Sequence, residues 1–310
     1  MKLLEGTKLA QKMQKELTEK TTKLFPNKEK YVGIIYLGED KSSKVYVGLK
    51  QKYGENIGIP VHIFGQYKKG DQLPENLNND YDVQLYMKQE YDNIGKIIDL
   101  INYLNSDKDC IGIVVQLPLP KEFKEYKAKI LSTIAPDKDI DGLGGILTGL
   151  SSIDLIDFVP ATPKAVINIL QEYDLYNIRG KIITIVGQSN LVGKPLMLEL
   201  VKQGGTVYSC NSSTPQEELK KLCKSSDYII SCTGVVHLLN DDFVRDDQSQ
   251  IIIDVGYGHK DGKPVGDIDF DSVKDKVKYI TPVPGGVGPL TVACLFENIF
   301  TIQENLGEIH

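Results

Sequence analysis

Three groups of residues in this 310-residue chain have the types and spacing to do chemistry. Tyr46 and Lys50, in the run YVGLK, stand four residues apart and share one face of any helix that contains them. A lysine beside a phenol in a dry cleft has a lowered proton affinity and can move protons. Most lysines of a Lys-rich chain are solvated surface charges, so this pair alone does not distinguish a catalytic helix from an ordinary one. Gln116 follows the apolar run 111–115, at the carboxyl end of a predicted buried strand. Ligands of α/β sheets bind at such ends, and a glutamine there can equally cap backbone. Asp137, Asp139 and Asp141 alternate in DKDIDG. No fourth ligand or calcium-loop length follows them. That leaves a solvated acidic turn, or one carboxylate that accepts hydrogen bonds from a donor-rich heterocycle.

A fourth stretch, KIITIVGQSNLVGKPLMLEL from Lys181, reads as strand, turn and helix. Backbone N–H groups and the positive end of a helix at such a turn favour phosphate. The spacing, Gly187-x-Ser189-x-x-x-Gly193-x-Pro195, is one residue longer than the dinucleotide fingerprint and has Ser189 at the second glycine position. On its own it fits a phosphate cradle or a plain strand–helix turn.

The elements that must position these groups follow from periodicity. An amphipathic helix is predicted over 3–24, a strand over 31–37, a turn at 38–40, and a helix over 44–56 with Ser42 or Ser43 as cap. A strand over 61–64, a polar surface excursion over 66–92, a helix over 94–104, a strand over 111–115, a helix over 123–134 and a rigid acidic loop over 136–145 complete the first half. The second half starts near Pro160 with a helix to 173. Strands follow at 182–186, 206–209, 228–231, 251–255 and 279–283, then the glycine-rich loop 284–289 and a closing helix over 290–302. Strands alternating with helices imply parallel sheets.

Length favours two domains. The net charge of −6 excludes the basic footprint of a nucleic-acid binder, and no run is apolar enough to span a bilayer, so a cytoplasmic protein with neither nucleic-acid nor membrane partners is expected. Cys110, Cys210, Cys223, Cys232 and Cys294 are scattered without metal or redox spacing, which predicts reduced, buried thiols and no metal site.

Seven stretches, SKVYVGLKQKYGENIGI, GIVVQLPLP, PDKDIDGL, FVPATP, IVGQSNLVGKP, IIDVGY and TPVPGGVGPLTVA, occur in one order over nearly the whole chain. In this the chain resembles the bifunctional methylenetetrahydrofolate dehydrogenase/methenyltetrahydrofolate cyclohydrolase family. The resemblance implies two α/β domains, the second a Rossmann-like dinucleotide-binding domain, with the C-terminal helix returning to the first. The expected bounds are 1–157 for a folate-binding catalytic domain completed by helix 290–310, and 158–289 for the NAD(P)-binding domain. A folate cleft between domains and a homodimer formed through the nucleotide domain are also implied. The implied activities are oxidation of 5,10-methylenetetrahydrofolate with NADP and hydrolysis of the methenyl product to 10-formyltetrahydrofolate, serving one-carbon metabolism and purine biosynthesis. By the same match Lys50 is the catalytic lysine, Tyr46 lines the folate site, Gln116 bonds the lysine and Asp141 holds the pterin. Val47, Gly48, Leu49, Val115 and Leu117 border that site, and Pro284, Gly285, Gly286, Val287 and Gly288 form the loop where folate meets nicotinamide. Gly187, Gln188, Ser189, Ser212 and Tyr257 fall on nucleotide-contact positions.

Departures from the pattern bear on the cofactor. Gln188 stands where many relatives carry Arg, and no basic residue or histidine lies near Asn211 and Ser212. No carboxylate ends the strand at 209, so a 2′-phosphate is not repelled. NADP is expected, with NAD as an option. Ala161 and Lys164, where cysteine and glycine are common, affect packing only. The rivals are a monofunctional NAD-dependent methylenetetrahydrofolate dehydrogenase, a non-catalytic folate-binding relative, and a shikimate-type dehydrogenase. The joint presence of Tyr46, Lys50, Gln116 and Asp141 disfavours the second, and the PGGVGP loop disfavours the third.

Overall fold

The computed structural model describes residues 1–26, 29–38, 41–66 and 81–307. The chain divides into two compact units, Met1–Lys12 with Val159–Cys294, and Met13–Phe158 with Leu295–His310. In chain order the first half comprises β1 (Lys2–Leu3), α1 (Thr7–Leu24), β2 (Tyr31–Ile35), α2 (Lys41–Ile57), β3 (Val61–Phe64), α3 (Tyr81–Met87), α4 (Ile94–Ser106), β4 (Cys110–Val115), a 3-10 turn at Lys121–Tyr126, α5 (Lys127–Thr133) and α6 (Gly145–Ser152). The second half comprises α7 (Ala161–Glu172), β5 (Ile182–Val186), α8 (Gly193–Lys202), β6 (Thr206–Cys210), α9 (Gln216–Ser225), β7 (Tyr228–Ser231), a 3-10 turn at Asp241–Phe243, β8 (Ile251–Asp254), β9 (Gly258–Lys260), β10 (Lys263–Val265), α10 (Phe270–Val273), β11 (Tyr279–Ile280) and α11 (Val287–Gly307).

The unit containing residues 13–158 is built on a parallel sheet ordered β3–β2–β4. Its strands are short runs of Ile and Val buried on both faces, as helix-covered parallel strands require. Helix α4 presents Ile97, Leu100, Ile101 and Leu104 to this core. Asn93 caps its start by accepting from Lys96 N at 3.1 Å. A Cβ on Gly33 would meet Leu104 at 3.2 Å, so a glycine in β2 lets α4 lie close against the sheet. The carboxyl end of α4 is capped by a lysine from another segment. Lys138 Nζ donates to Leu104 O, Asn105 O and Asp107 O at 2.8, 2.7 and 2.6 Å. From Leu295 onward α11 belongs to this unit, where Asn298 Nδ2 donates to Ile140 O at 3.0 Å.

The other unit holds six parallel strands ordered β1–β11–β8–β7–β5–β6, with the antiparallel hairpin β9–β10 beside them. The order reverses at β5, whose two neighbours β6 and β7 both follow it in the chain. This is an open doubly wound arrangement, with its switch point at the turn after β5.

Several elements differ from the sequence reading. Residues 1–12 were expected in the first domain, but β1 pairs with β11 and extends the six-stranded sheet. The polar stretch 66–92 is not all surface, because Val83 and Met87 of α3 are buried in the core. Residues 67–80 of it lie outside the described residues. Of the turn expected at 38–40, Glu39 and Asp40 also lie outside them. Ser43 sits inside α2 rather than capping it and donates to Leu117 O at 3.4 Å. Helix α6 and the β9–β10 hairpin, with three residues per strand, are too short for periodicity to find.

The lysine cap has a measurable consequence. Lys138→Met keeps the apolar stem but leaves three helix-end carbonyls without their donor. It should destabilise the chain by about 2–3 kcal/mol, read as a lower urea midpoint at unchanged slope. An unchanged midpoint would mean that water replaces the amine without loss.

Candidate active site

The end of β4 and one face of α2 bring Lys50 and Gln116 together. Lys50 Nζ donates to Gln116 Oε1 at 3.0 Å. Gln116 is held by its own backbone, whose N–H donates to Ile35 O of β2 at 2.9 Å, and by its side-chain amide, which donates to Leu117 O at 2.8 Å. With Nε2 committed to Leu117, Oε1 is the atom left to face the amine. An amide oxygen accepts from the lysine without adding a charge, so it orients the amine and leaves its proton free to go. Burial holds the Lys50 ammonium below its ordinary range, and the charge of Asp141 opposes this. Burial likewise raises the Asp141 carboxyl, opposed by Lys50. The two groups therefore feel each other in a place where both are driven toward neutrality.

Asp141 sits in a loop held rigid by its neighbours. The Asp139 carboxylate accepts from Gly142 N at 3.1 Å, Leu143 N at 3.3 Å and Gly144 N at 2.7 Å. Burial, partly offset by these N–H groups, raises its carboxyl to about 6. A Cβ on Gly144 would lie 2.7 Å from Asp139 Oδ2, so that approach needs glycine. Of the three alternating carboxylates, Asp139 is spent on the loop and Asp141 is the one near Lys50. Lys138 and Asp139 were missed as site-building residues. The signal was available, since an alternating Lys-Asp-x-Asp-Gly run can fold its polar side chains onto its own backbone.

Tyr46 lies one turn before Lys50 on α2 and is half-buried. Leu49 is half exposed, and the Cβ position of Gly48 has no atom within 4 Å, so there is open space over this part of α2. Val47 and Val115 point into the core, so they support the site through packing. Leu117 precedes a cis proline and carries the carbonyl that anchors Gln116.

The remaining expected residues lie in the unit that holds β5. Gly187 has φ +118°, and a side chain there would strike Cys232 O at 2.7 Å. A Cβ on Gly193 would lie 1.8 Å from Gly187 O, so the two glycines let α8 begin directly against the end of β5. Ser189 Oγ accepts from Val192 N at 3.1 Å and shapes the longer turn. Gln188 Nε2 donates to Ser209 O at 2.8 Å, and its Oε1 accepts from Asn211 Nδ2 at 2.8 Å. At the end of β6 the lining is thus two interlocked amides, with neither a guanidinium nor a carboxylate. Ser212 is exposed beside them, and Tyr257, 39% exposed, stands edge-on to His259 at 5.4 Å between ring centroids. These glycine-enforced close approaches fit a dinucleotide phosphate.

The loop Pro284–Gly288 belongs to the same unit through its contacts with residues near the N-terminus. Gly285 O accepts from Gly6 N at 2.9 Å, from Thr7 N at 3.3 Å and from Thr7 Oγ1 at 3.2 Å. Gly285 has φ +104°, Gly286 is crowded by Pro282 O, and Val287 is buried where α11 begins. Gly6 and Thr7 carried no readable signal, because their partner lies nearly the whole chain away. No group of three or more potential metal-ligating side chains occurs among the described residues.

Comparison with known proteins agrees over both units. Residues 4–141 match the family model described as the tetrahydrofolate dehydrogenase/cyclohydrolase catalytic domain, and residues 160–306 match its NAD(P)-binding domain. The chain is 36% identical to the bifunctional protein FolD of Methanococcoides burtonii, over 96% of this chain and 95% of the relative. It is 39% identical to that of Mesoplasma florum, over 98% of each. The crystal structure of the bifunctional FolD methylenetetrahydrofolate dehydrogenase/cyclohydrolase from Campylobacter jejuni superposes with a TM-score of 0.82 at 36% identity, covering 98% of this chain and 99% of that one. The Trypanosoma brucei enzyme complexed with NADP and an inhibitor gives 0.81 at 29% identity, covering 97% of each. By its match over both of its halves, the chain belongs to the tetrahydrofolate dehydrogenase/cyclohydrolase family.

Proposed function

We infer that the chain is a bifunctional enzyme that oxidises 5,10-methylenetetrahydrofolate to the methenyl form with NADP and hydrolyses the methenyl form to 10-formyltetrahydrofolate. The observation that carries this reading is the desolvated Lys50 amine held by Gln116 at 3.0 Å and flanked by Asp141, in a chain whose other unit carries a dinucleotide turn. NADP, when bound, accepts the hydride that leaves the substrate methylene carbon.

The chain's own residues supply alignment and proton transfer. The end of β5 and the start of α8 take the phosphates, with Gly187, Gln188, Ser189, Ser212 and Tyr257 around the nucleotide. Asp141 accepts hydrogen bonds from the pterin, Tyr46 packs along it, and Gly48, Leu49 and Leu117 border it. In the hydrolytic step a water oxygen bonds to the methenyl carbon and gives a proton to the neutral Lys50 amine. The resulting ammonium returns that proton to the folate nitrogen as the carbon–nitrogen bond breaks, and the second water proton leaves to solvent. Gln116 orients the amine through both transfers. The reading extends to a cytoplasmic homodimer that feeds formyl groups to purine biosynthesis. Strand β6 forms one edge of the six-stranded sheet, and Leu198, Val201 and Tyr208 are exposed on it and on α8, which suits a self-association face.

Lys50→Met should lower methenyl hydrolysis by roughly two to four orders of magnitude while keeping a larger share of hydride transfer, both followed through the methenyl chromophore. Wild-type hydrolysis should rise with pH as Lys50 loses its proton, with a midpoint below lysine's ordinary 10.5. Near wild-type hydrolysis by the variant would remove Lys50 from the reaction.

Gln188→Arg should tighten NADP more than NAD, because a guanidinium adds a charge-assisted bond to the 2′-phosphate that an amide cannot make. Equal changes in kcat/KM for the two nucleotides would place the 2′-phosphate elsewhere. Val201→Asp, at an exposed apolar position of α8, should shift sedimentation from dimer to monomer. A wild type that sediments as a monomer would end the dimer reading.

A further inference from the structure

Two carboxylates of the six-stranded sheet take no part in the chemistry above. Asp254 ends β8 and is 4% exposed, and Asp267, just after β10, is fully buried. Asp254 Oδ1 accepts from Gly256 N and Asp267 N, each at 3.0 Å, and its Oδ2 accepts from Ile268 N at 2.9 Å. Asp267 Oδ2 accepts from Ser231 Oγ at 2.8 Å, Thr233 N at 2.7 Å and Thr233 Oγ1 at 2.9 Å. Asp267 Oδ1 is buried and receives no donor. The two side chains close on the same short segments. A Cβ on Gly256 would lie 1.9 Å from Asp267 Oδ1, and one on Gly266 would lie 1.9 Å from Asp254 Oδ2.

No cation answers this pair among the described residues. The hydroxyls of Ser231 and Thr233 face it from the end of β7, and that of Thr281, from the segment after β11, accepts from Asp254 N at 2.7 Å and donates to Asp254 O at 3.4 Å. The Cys232 thiol also faces Asp267, and burial with that charge beside it pushes the thiol up to about 12, so it stays neutral. On the side of the β9–β10 hairpin the charged groups pair among themselves. Lys260 Nζ lies 3.3 Å and Asp269 Oδ2 lies 3.8 Å from His237 Nδ1. Two buried carboxylates without a counter-ion repel each other, which favours a proton on Asp254. Burial, with the charge of Asp267 adding to it, raises Asp254 to about 7.

The location gives the pair a task. The nucleotide crosses the carboxyl ends of the strands, with its phosphates at the turn after β5 and its adenosine ribose toward β6. The nicotinamide end therefore extends the other way, over the ends of β7 and β8. The loops there are Thr233–Val235 and Gly256–Gly258, the segments that Asp267 and Asp254 hold. We propose that Asp254, kept protonated beside Asp267, forms with it a positioning pair that sets these two loops to receive the nicotinamide end of the cofactor. This rests on the reading of the chain as a nicotinamide-nucleotide enzyme. The pair touches neither the reacting atoms nor the substrate; it acts through Thr233 and Gly256. Loss of the Asp254 proton leaves two like charges pushing the loops apart, so nucleotide binding weakens as pH rises through neutrality.

The test is NADPH affinity of the full-length protein from about pH 6 to about pH 9, for wild type and Asp254→Asn, with thermal stability read alongside. The asparagine amide is neutral and has no proton to lose. Relative to the variant, wild-type affinity should fall roughly tenfold over this range, within the limit of tenfold per unit for one linked proton. The 2′-phosphate titrates alike in both proteins and cancels. Parallel profiles, or a uniform loss in the variant at every pH, would make the pair merely structural. If the variant does not fold, the wild-type aspartate carboxyls labelled with carbon-13 decide the matter. One of them should titrate near neutrality and move upward when NADPH binds, and absence of such a carboxyl overturns the proposal. A wild type that binds neither NADPH nor NADH at any pH would sink the functional reading instead, and the carboxyl titration of the free protein still shows whether the pair holds a proton.

Discussion

An amine kept from water but not given a full ion pair is the constraint on which the catalytic unit depends. In the proposed reaction Lys50 can move a proton only while it stays near neutrality, so its partner must orient it without charging it. A glutamine does this only if its own amide cannot rotate. The fixed elements of this unit serve that end: the carbonyl of Ile35 holds the Gln116 backbone, the carbonyl of Leu117 holds its side chain, and Ser43 reaches the same Leu117 carbonyl from α2. Asp141 is the counterweight, in a loop that the Asp139 carboxylate holds through three backbone N–H groups.

The residues proposed to face ligand were legible in the sequence, and those that hold them were less so. Lys50, Gln116 and Asp141 stand in short runs whose spacing and position at a strand end carry meaning. Asp139 looked equivalent to Asp141, because alternation cannot tell a carboxylate turned onto its own backbone from one turned outward. The parallel strands were legible as apolar runs, but α3 was hidden because its two buried side chains, Val83 and Met87, sit among polar neighbours. Gly6 and Thr7 were unreadable for a different reason. Their meaning lies in a carbonyl some 280 positions later, as the Thr7–Gly285 bond records.

The nucleotide unit places neutral amides where charge is common and places charge where it is rare. Gln188 and Asn211 satisfy each other at the end of β6, so neutral amides line that end of the strand. Beneath the ends of β7 and β8 two carboxyls are fully enclosed. Backbone N–H groups serve both and hydroxyls serve Asp267 as well, so the conformation of these loops depends on both side chains.

Each unit is assembled from two separate stretches of the chain, because boundaries fall inside α1 and inside α11. This has a consequence for biosynthesis. The ribosome makes β1 first and its partner β11 almost last, so the edge of the six-stranded sheet stays unpaired for most of translation. The three-stranded sheet is complete once β4 has emerged, yet it waits for Asn298 and the last turns of α11 to cover Ile140. Cutting the gene near codon 158 would therefore not release two self-sufficient pieces. Each fragment would lack a strand or a helix encoded at the far end of the message, and cooperativity in folding is built into the chain's connectivity rather than into any one interface.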